Sequence, residues 1–215
     1  MDTKNTLDYI VKRFKLDLSR QTSMPIMIPN TDRISLARLF RRLGFKEGAE
    51  IGVQEGAYSR VICEKNPGIK LHCIDSWEKY PGYIDFVTRA KFPAFEKKAR
   101  EVLAPYNCNL IKKYSMDAVK DFPDRSLDFV YIDANHDVRH VIEDIEEWSK
   151  KIKKGGIISG HDYFISAHRR SRAHVVYALQ AYTTSWKINP WFVLGREERL
   201  PGEKRDSSRS WFFVI

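Results

Sequence analysis

The sequence predicts an α/β fold with a mostly parallel sheet, because two strands flank a glycine turn and a helix. The apolar run at residues 49–53 is interrupted by Gly52 and Gly56 and continues into a helical pattern. Residues 70–75 form a second apolar strand, which ends at Asp75. A strand, a glycine turn, a helix and a second strand with a terminal acid make up the nucleotide-binding half of a Rossmann-like sheet.

The later part of the chain continues this alternation of strands and helices. Residues 127–133 form an apolar strand that ends in Asp133, and residues 138–151 have the apolar spacing of a helix. Lysines suit the negative pole at the end of that helix, and two glycines stop it before the next strand, residues 157–163. Ligands bind beyond the carboxyl ends of the strands in such sheets, so we expect the polar residues there to converge on one cleft.

The glycine turn also indicates the kind of cofactor. Glycines allow the backbone to approach a ligand closely, and Asp75 can accept both hydrogen bonds of a ribose diol, so we expect an adenosine-containing cofactor. A dinucleotide site has the pattern G-x-G-x-x-G, whereas Gln54 occupies the middle glycine position here. Glu50 suits a cationic ligand better than a pyrophosphate. The alternative is a tight turn without a ligand.

These motifs resemble a known family. The pattern E-x-G-x-x-x-G with an acidic second strand end resembles motif I of the class I S-adenosylmethionine-dependent methyltransferases. The strings I-D-A-N-H-D and W-x-K-K-I-K-K-G-G-I-I-S-G-H-D-Y look like the bacterial small-molecule group that includes sugar and macrolide O-methyltransferases. The resemblance is close between Gly48 and Tyr163 and loose in the C-terminal third.

The resemblance implies a doubly wound, Rossmann-like seven-stranded sheet, mostly parallel with an antiparallel last strand at residues 211–215, plus N-terminal helices. We expect a single domain over residues 1–215. Residues 1–46 would form a helical cover over the cofactor cleft, and residues 47–215 would form the core. In the N-terminal part, Pro25 and Pro29 predict an irregular connector.

The resemblance also implies a cofactor site for S-adenosylmethionine. Gly52 and its neighbours would face the methionine portion, Asp75 would hold the ribose, and residues of the later strand ends would border the adenine. The full set is Glu50, Gly52, Val53, Gln54, Gly56, Asp75, Ser76, Trp77, Ser115, Met116, Asp117 and Asp133. Asp117 has the alternative role of favouring a helix dipole, and Trp77 that of a core anchor.

A hydroxyl acceptor must lose its proton, to a general base or with the help of a metal ion. His136 is the candidate base, beside Asp133 as a catalytic residue; the alternative for His136 is a structural histidine. Asp133 and Asp162 are placed like the carboxylates that hold magnesium in metal-dependent O-methyltransferases. His161 departs from that pattern, because imidazole suits magnesium poorly.

Residues after the fifth strand are candidates for binding the acceptor. The predicted set is Asp162, Tyr163, Arg169 and Arg170, and the arginines would suit an anionic acceptor. The alternative is an exposed, charged helix start.

The composition is typical of a globular protein with its own apolar core. The 215 residues are 43% hydrophobic, enough to bury a core, and no apolar run reaches membrane-spanning length. Three cysteines without metal-ligand spacing and the lack of a signal peptide predict a cytoplasmic protein with reduced thiols. The sequence leaves the oligomeric state open.

Three functions compete. A small-molecule methyltransferase, acting at a hydroxyl, fits the motifs best. A nucleic-acid methyltransferase would suit the net charge of +9, but the basic residues are spread along the chain and an N-P-P-Y-type motif is lacking, so a nucleic-acid partner is not expected. A catalytically silent cofactor-binding module is indicated only by Gln54.

Overall fold

The computed structural model describes residues 2–21, 23–80, 88–165 and 173–215. Its centre is one eight-stranded sheet in the order β1-β7-β8-β6-β5-β2-β3-β4. The strands are β1 (Ile26–Ile28), β2 (Glu47–Ile51), β3 (Lys70–Asp75), β4 (Cys108–Lys112), β5 (Leu127–Ile132), β6 (Ile152–Tyr163), β7 (Phe192–Leu194) and β8 (Arg209–Val214). Among the strands in the described residues, only β8 runs antiparallel to its neighbours, β6 and β7. The predicted α/β class and the antiparallel last strand are therefore confirmed.

The sheet has one strand more than the predicted seven. The extra strand is β1, which pairs in parallel with β7 and brings Ile26 opposite Phe192. It lies between Pro25 and Pro29, where the sequence predicted an irregular connector. Proline lacks the N–H that a central strand needs, but it is tolerated at strand ends and on edge strands. Part of the N-terminal segment therefore belongs to the sheet.

Helices cover both faces of the sheet. They are α1 (Thr3–Phe14), α2 (Arg33–Arg42), α3 (Ala57–Lys65), α4 (Phe92–Leu103), α5 (Ser115–Ala118), α6 (Val138–Lys151) and α7 (Val175–Ser185). Alternate side chains of a strand point to opposite faces. In β5, Phe129 and Tyr131 accordingly join the core beneath α1 to α4, whereas Val130 and Ile132 join the core beneath α5 to α7.

Helix α1 does not lie over the carboxyl ends of the strands. Its Thr6 side chain donates to the carbonyl of Gly155 at 2.8 Å, and Thr3 donates to that of Ile215 at 2.7 Å. Gly155 precedes the stretch of β6, residues 157–160, that pairs with residues 129–132 of β5, so these contacts hold α1 near the amino end of that stretch. The predicted helical cover therefore differs from the structure at α1. Among the described residues, no helix has the length and apolar character that crossing a lipid bilayer requires.

The end of β2 passes very close to the end of β5. The Asp133 amide donates to the Ile51 carbonyl at 2.7 Å. A Cβ atom on Gly52 would lie 2.1 Å from the Asp133 carbonyl oxygen, and Gly52 has a φ of +90°. Only glycine meets both the steric and the conformational requirement. This close approach places the glycine turn beside Asp133.

We predict that Gly52→Ala costs far more stability than Gly68→Ala. Gly68 also has a positive φ, of +80°, but a Cβ there would meet nothing within 4 Å. The Gly68 variant should lose only the left-handed strain of about 1–2 kcal/mol. The Gly52 variant should lose an additional 1–3 kcal/mol or so through overpacking against backbone. Urea unfolding of both variants measures the difference, and equal losses would contradict the steric argument.

Candidate functional site

A cavity opens at the carboxyl ends of the parallel strands, the edge where ligands bind in open α/β sheets. Its volume is about 580 Å³, which is within the usual range for small-molecule sites. Most of the predicted residues line it: Glu50, Gly52, Val53, Gln54, Asp75, Ser76, Trp77, Ser115, Met116, Asp133 and His136. The other described members of the predicted set are Gly56, Asp117, Asp162 and Tyr163, and they lie outside the lining.

The Asp75 carboxylate closes the glycine turn. Its Oδ2 accepts hydrogen bonds from the amides of Val53 and Gln54, both at 2.9 Å. Its Oδ1 accepts one from the Trp77 amide at 2.7 Å. A carboxylate has about four acceptor positions, so this arrangement leaves one, on Oδ1, where the sequence predicted two contacts to a ribose diol. Burial raises the pKa of Asp75, against the effect of the three amides.

The backbone around this carboxylate is strained. Gln54 and Trp77 have φ values of 50° and 43°, in the left-handed region, which costs of order 1–3 kcal/mol for residues other than glycine. The Trp77 indole donates to the Gln54 carbonyl at 2.8 Å, which ties the two residues together. Trp77 is buried and also lines the cavity. It is therefore placed both as a core anchor and as a residue of the predicted cofactor site, the two roles that the sequence gave as alternatives. Gly56, with a φ of 79°, precedes α3 as its N-cap.

Glu50 is a fully buried carboxyl group at the base of the cavity. The Ser59 hydroxyl donates to it. Burial raises the pKa of Glu50 to about 8, and the hydrogen bond from Ser59 only partly opposes this rise. The side chain is therefore mostly neutral at pH 7. A cation bound nearby would favour its ionised form.

A second buried acid, Asp144, also lines the cavity. The Ser115 hydroxyl donates to Asp144 and accepts a hydrogen bond from the Trp148 indole at 2.9 Å. Burial raises the pKa of Asp144 to about 7. Ser115, a predicted cofactor residue, is thus held in a fixed orientation by two side chains of α6.

Asp117 and Met116, both predicted to border the adenine, differ in position. Met116 lines the cavity, whereas the Asp117 side chain is 60% exposed and accepts from Lys120 Nζ at 2.9 Å. Asp117 is an acid in the first turn of α5. Its position agrees with the alternative role at the helix dipole.

Two acids and two histidines form a cluster where β5 and β6 end. His136 Nε2 lies 2.7 Å from Asp162 Oδ2 and 3.8 Å from Asp133 Oδ1. His161 Nδ1 lies 3.3 Å from Asp162 Oδ1 and 3.7 Å from Asp133 Oδ2. Burial would raise the pKa of Asp162, but the hydrogen bonds from the two imidazoles hold it well below its usual range. The predicted base and the predicted carboxylates are therefore neighbours.

The backbone places Asp162 in this cluster through an irregularity of β6. The pairing between β6 and β8 shifts register between Gly160 and Tyr163, and Asp162 has a φ of 58°. A β-bulge re-aims a side chain, and aspartate is among the residues that tolerate the left-handed region. The carboxylate is thereby directed towards His136.

The cluster does not fit magnesium. Asp133, His136 and Asp162 offer ligand atoms that all lie within 4.8 Å of one another. Magnesium takes oxygen ligands, whereas a set of one imidazole and two carboxylates suits transition metals. The ion pair between His136 and Asp162 also engages two of the three groups. The predicted magnesium ion is therefore not supported.

Tyr163, a predicted acceptor-binding residue, lies apart from the cavity. Tyr163 is buried against Trp191, with a centroid separation of 5.8 Å, and the Arg209 guanidinium lies 5.2 Å from its ring centroid. It contributes nothing to the cavity lining. Arg169 and Arg170 fall outside the described residues.

Arg33 is a cavity residue that the sequence analysis missed. It begins α2, and its guanidinium lies 5.3 Å from the Tyr58 ring centroid. Burial opposes its charge, but the carboxylates of Asp206 and Asp133 help to raise its pKa above the usual value. Arg33 thus places a permanent cation in the cavity. No short motif surrounds it, so only the tertiary structure identifies it.

Asp144 was also missed, although the sequence carried a signal for it. The buried residues of α6 are Val141, Asp144, Ile145 and Trp148, at helical spacing. A carboxylate in an otherwise apolar stripe is rarely buried without a partner. Such a residue is a candidate for a site.

Comparison with solved structures shows the same fold at low sequence identity. An O-methyltransferase from Streptomyces achromogenes, TomG, involved in tomaymycin synthesis and solved in complex with S-adenosylmethionine, is 15% identical with a TM-score of 0.61. The match covers 100% of this chain and 90% of that one. An O-methyltransferase from Bacillus cereus, in complex with S-adenosylhomocysteine, is 14% identical with a TM-score of 0.59, covering 98% and 91%.

The fold is not limited to one reaction. A spermidine synthase from Thermotoga maritima is 15% identical with a TM-score of 0.53, covering 85% of this chain and 60% of that one. These likenesses therefore establish the fold alone.

The sequence itself is matched more specifically by a family model. No curated protein sequence matches the chain significantly. The model of the methyltransferase domain matches residues 49–163, more than half of the 215 residues. The matched segment runs from β2 to the end of β6, and it contains the glycine turn, Asp75 and the histidine–aspartate cluster. The chain therefore belongs to the methyltransferase domain family, as its resemblance to the class I methyltransferases predicted.

Proposed function

We propose that this protein transfers a methyl group from S-adenosylmethionine to a hydroxyl group of a small molecule. The charge of the cavity is the observation that carries the proposal. Among the described residues, seven carboxyl groups line it, from Glu50, Glu55, Asp75, Glu78, Asp133, Glu143 and Asp144, against the permanent cations of Arg33 and Lys113. Such a lining opposes a pyrophosphate or a nucleic-acid backbone and favours a cationic nucleoside.

The proposed cofactor fits the groups that line the cavity. Bound S-adenosylmethionine would supply a methyl group on a positively charged sulfur. Glu50 at the base of the cavity would favour that charge, and Arg33 could pair with the carboxylate of the methionine portion. Asp75 retains one acceptor position for a ribose hydroxyl, and Ser115, Met116 and Trp77 would surround the base.

The pair of His136 and Asp162 supports proton removal from the acceptor. The contact of 2.7 Å between His136 Nε2 and Asp162 Oδ2 would orient the ring and stabilise the imidazolium that forms when His136 takes a proton from the acceptor. Asp133 and Asp162 are partly buried beside this ring, which would limit the access of water to it. Two of the structural neighbours are named O-methyltransferases, which agrees with a hydroxyl acceptor.

We also propose that the protein is located in the cytoplasm. Cys63, Cys73 and Cys108 are free thiols. Cys63 and Cys108 remain unbonded although their sulfur atoms are 3.5 Å apart. Free thiols in contact suit the reducing cytoplasm.

The first test is cofactor selectivity. S-adenosylhomocysteine at about 100 times its dissociation constant should stabilise the fold by roughly 2.7 kcal/mol, and NADH should not. Thermal unfolding measures both. Incubation with methyl-labelled S-adenosylmethionine and a metabolite extract should then label small molecules at oxygen. Stabilisation by NADH alone would contradict the proposal.

The second prediction concerns Glu50. Because its pKa of about 8 lies above pH 7, the free protein carries its proton, and a bound sulfonium should lower that pKa. Binding of S-adenosylmethionine at pH 7 should therefore release up to about one proton, and affinity should rise with pH until about pH 8. Calorimetry in buffers with different heats of ionisation measures the release.

Two variants control this measurement. Glu50→Gln should abolish the proton release and weaken S-adenosylmethionine more than the uncharged sulfide product. Asp117→Asn should change neither quantity, because Asp117 lies outside the cavity and pairs with Lys120. Unchanged proton release in the Glu50 variant would show that Glu50 does not sense the cofactor charge.

The third prediction separates a base from a metal ion. If His136 takes the proton, His136→Ala should lower the turnover rate by about 10²–10⁴-fold and leave cofactor affinity nearly unchanged. Asp162→Asn should lower the rate in the same direction, because the amide favours the wrong tautomer. Activity should survive a chelator.

Other results of these experiments would indicate a different mechanism. Loss of turnover on chelation that manganese or magnesium restores would establish a metal site at Asp133 and Asp162 instead. Full activity of both a chelated sample and the His136→Ala protein would refute both mechanisms, and alignment of the reactants alone would then account for catalysis.

A further inference from the structure

A second concave site, here called the basic pocket, lies apart from the catalytic cavity. Its positively charged lining residues are Arg13, Lys15, Arg38, Arg42 and Lys204, and its volume is about 400 Å³. The two sites share no lining residue. No acidic side chain is among the described residues that line the basic pocket. Its charge is therefore opposite to that of the catalytic cavity.

Most cations of the basic pocket lack a counter-charge. Within the described part of the chain, Arg13, Lys15, Arg38 and Arg42 form no salt bridge, whereas Lys204 pairs with Asp32 over the long distance of 3.9 Å. Arg38 and Arg42 are four residues apart on α2 and so lie on the same face. Like charges at this spacing destabilise a helix by about 0.2–0.5 kcal/mol. An anion between the two would remove that repulsion.

Helix dipoles explain only part of this arrangement. Arg13 and Arg42 lie in the last turns of α1 and α2, where cations are favourable. Arg38 lies in the middle of α2, and Lys204 comes from the segment between β7 and β8. Cations from three parts of the chain therefore converge on one concave surface, which a dipole effect does not require.

The walls of the basic pocket are fixed by hydrogen bonds. The buried carboxylate of Glu203 accepts from the amides of Asn30 and Arg196 at 3.3 Å and from that of Leu200 at 3.2 Å. The Lys204 amide in turn donates to the Asn30 side-chain oxygen at 3.3 Å. These bonds hold Lys204 against the turn that precedes α2. The pocket is therefore formed before any ligand arrives.

We propose that the basic pocket binds a small anion that carries two or more phosphate groups. Arginine presents a planar fork of donors that matches phosphate oxygens, and Arg38 and Arg42 provide two forks on one face. Lysine binds phosphate as a point charge, and Lys15 and Lys204 add two such charges. Asn30, Thr31 and Ser35 supply a polar lining between them. The five cations surround one pocket and do not follow an extended groove, which favours a compact polyphosphate over a nucleic-acid strand.

The test uses inorganic pyrophosphate and tripolyphosphate in titration calorimetry with the full chain. We expect one site that weakens as salt increases, because the charges are partly exposed. The double variant Arg38→Gln/Arg42→Gln should weaken binding at least about tenfold, corresponding to ~1.4 kcal/mol. The matched control is Arg41→Gln, an exposed arginine of the same helix that does not line the pocket. It should bind as the unmodified protein does.

Several results would overturn the proposal. They are no binding of either anion, equal weakening by Arg41→Gln, or a single-stranded RNA that binds more tightly than tripolyphosphate at the same salt concentration and depends on Arg38 and Arg42. Should the double variant fail to fold, Lys204→Gln replaces it, since Lys204 lies outside the helices. Unchanged binding of S-adenosylhomocysteine in these variants would support a separate site, and a matching loss would contradict it.

Discussion

The carboxylate of Asp75 connects the ends of β2 and β3 through three backbone amides, and the shape of the cavity depends on it. Without this acceptor the Val53 amide of the glycine turn would lack a partner in a partly buried place, at a cost of about 1–3 kcal/mol. The same hydrogen bonds hold Gln54 and Trp77 in left-handed conformations that they would not adopt alone. One acid therefore positions the turn, the indole and the entrance to the site, and it has little capacity left for a ligand.

Charge is divided between two regions of the molecule. The net charge of +9 does not describe the catalytic cavity, where acids predominate. Burial keeps Glu50 mostly neutral and Asp144 about half neutral near pH 7, so the repulsion among the lining acids is smaller than their number indicates. The arginines of α2 illustrate the division, since Arg33 faces the cavity and Arg38 faces the basic pocket.

Features that depend on residues close together in the chain could be predicted from the sequence. The helix at residues 138–151 matches α6 in both bounds, because its apolar spacing is a strong signal. Gly155 and Gly156, which were predicted to stop this helix before the next strand, lie inside β6 instead. The proximity of Asp133, His136 and Asp162 followed from the rule that parallel strands end at one edge. The strand β1 was not predictable, because two flanking prolines disfavour a strand and only pairing with the distant β7 forms it. The exposure of Asp117 and the position of Arg33 likewise depend on contacts between distant segments.

The short strand β1 has a consequence for association between copies of the chain. An outer strand exposes unpaired N–H and C=O groups, which can recruit a strand from another molecule. Here the outer strand, β1, is only three residues long and lies between Pro25 and Pro29. It pairs with the apolar strand β7 and so covers the edge of that strand. Proline offers no N–H for a neighbouring ladder. Growth of the sheet across this border is therefore disfavoured, and any self-association has to use other parts of the surface.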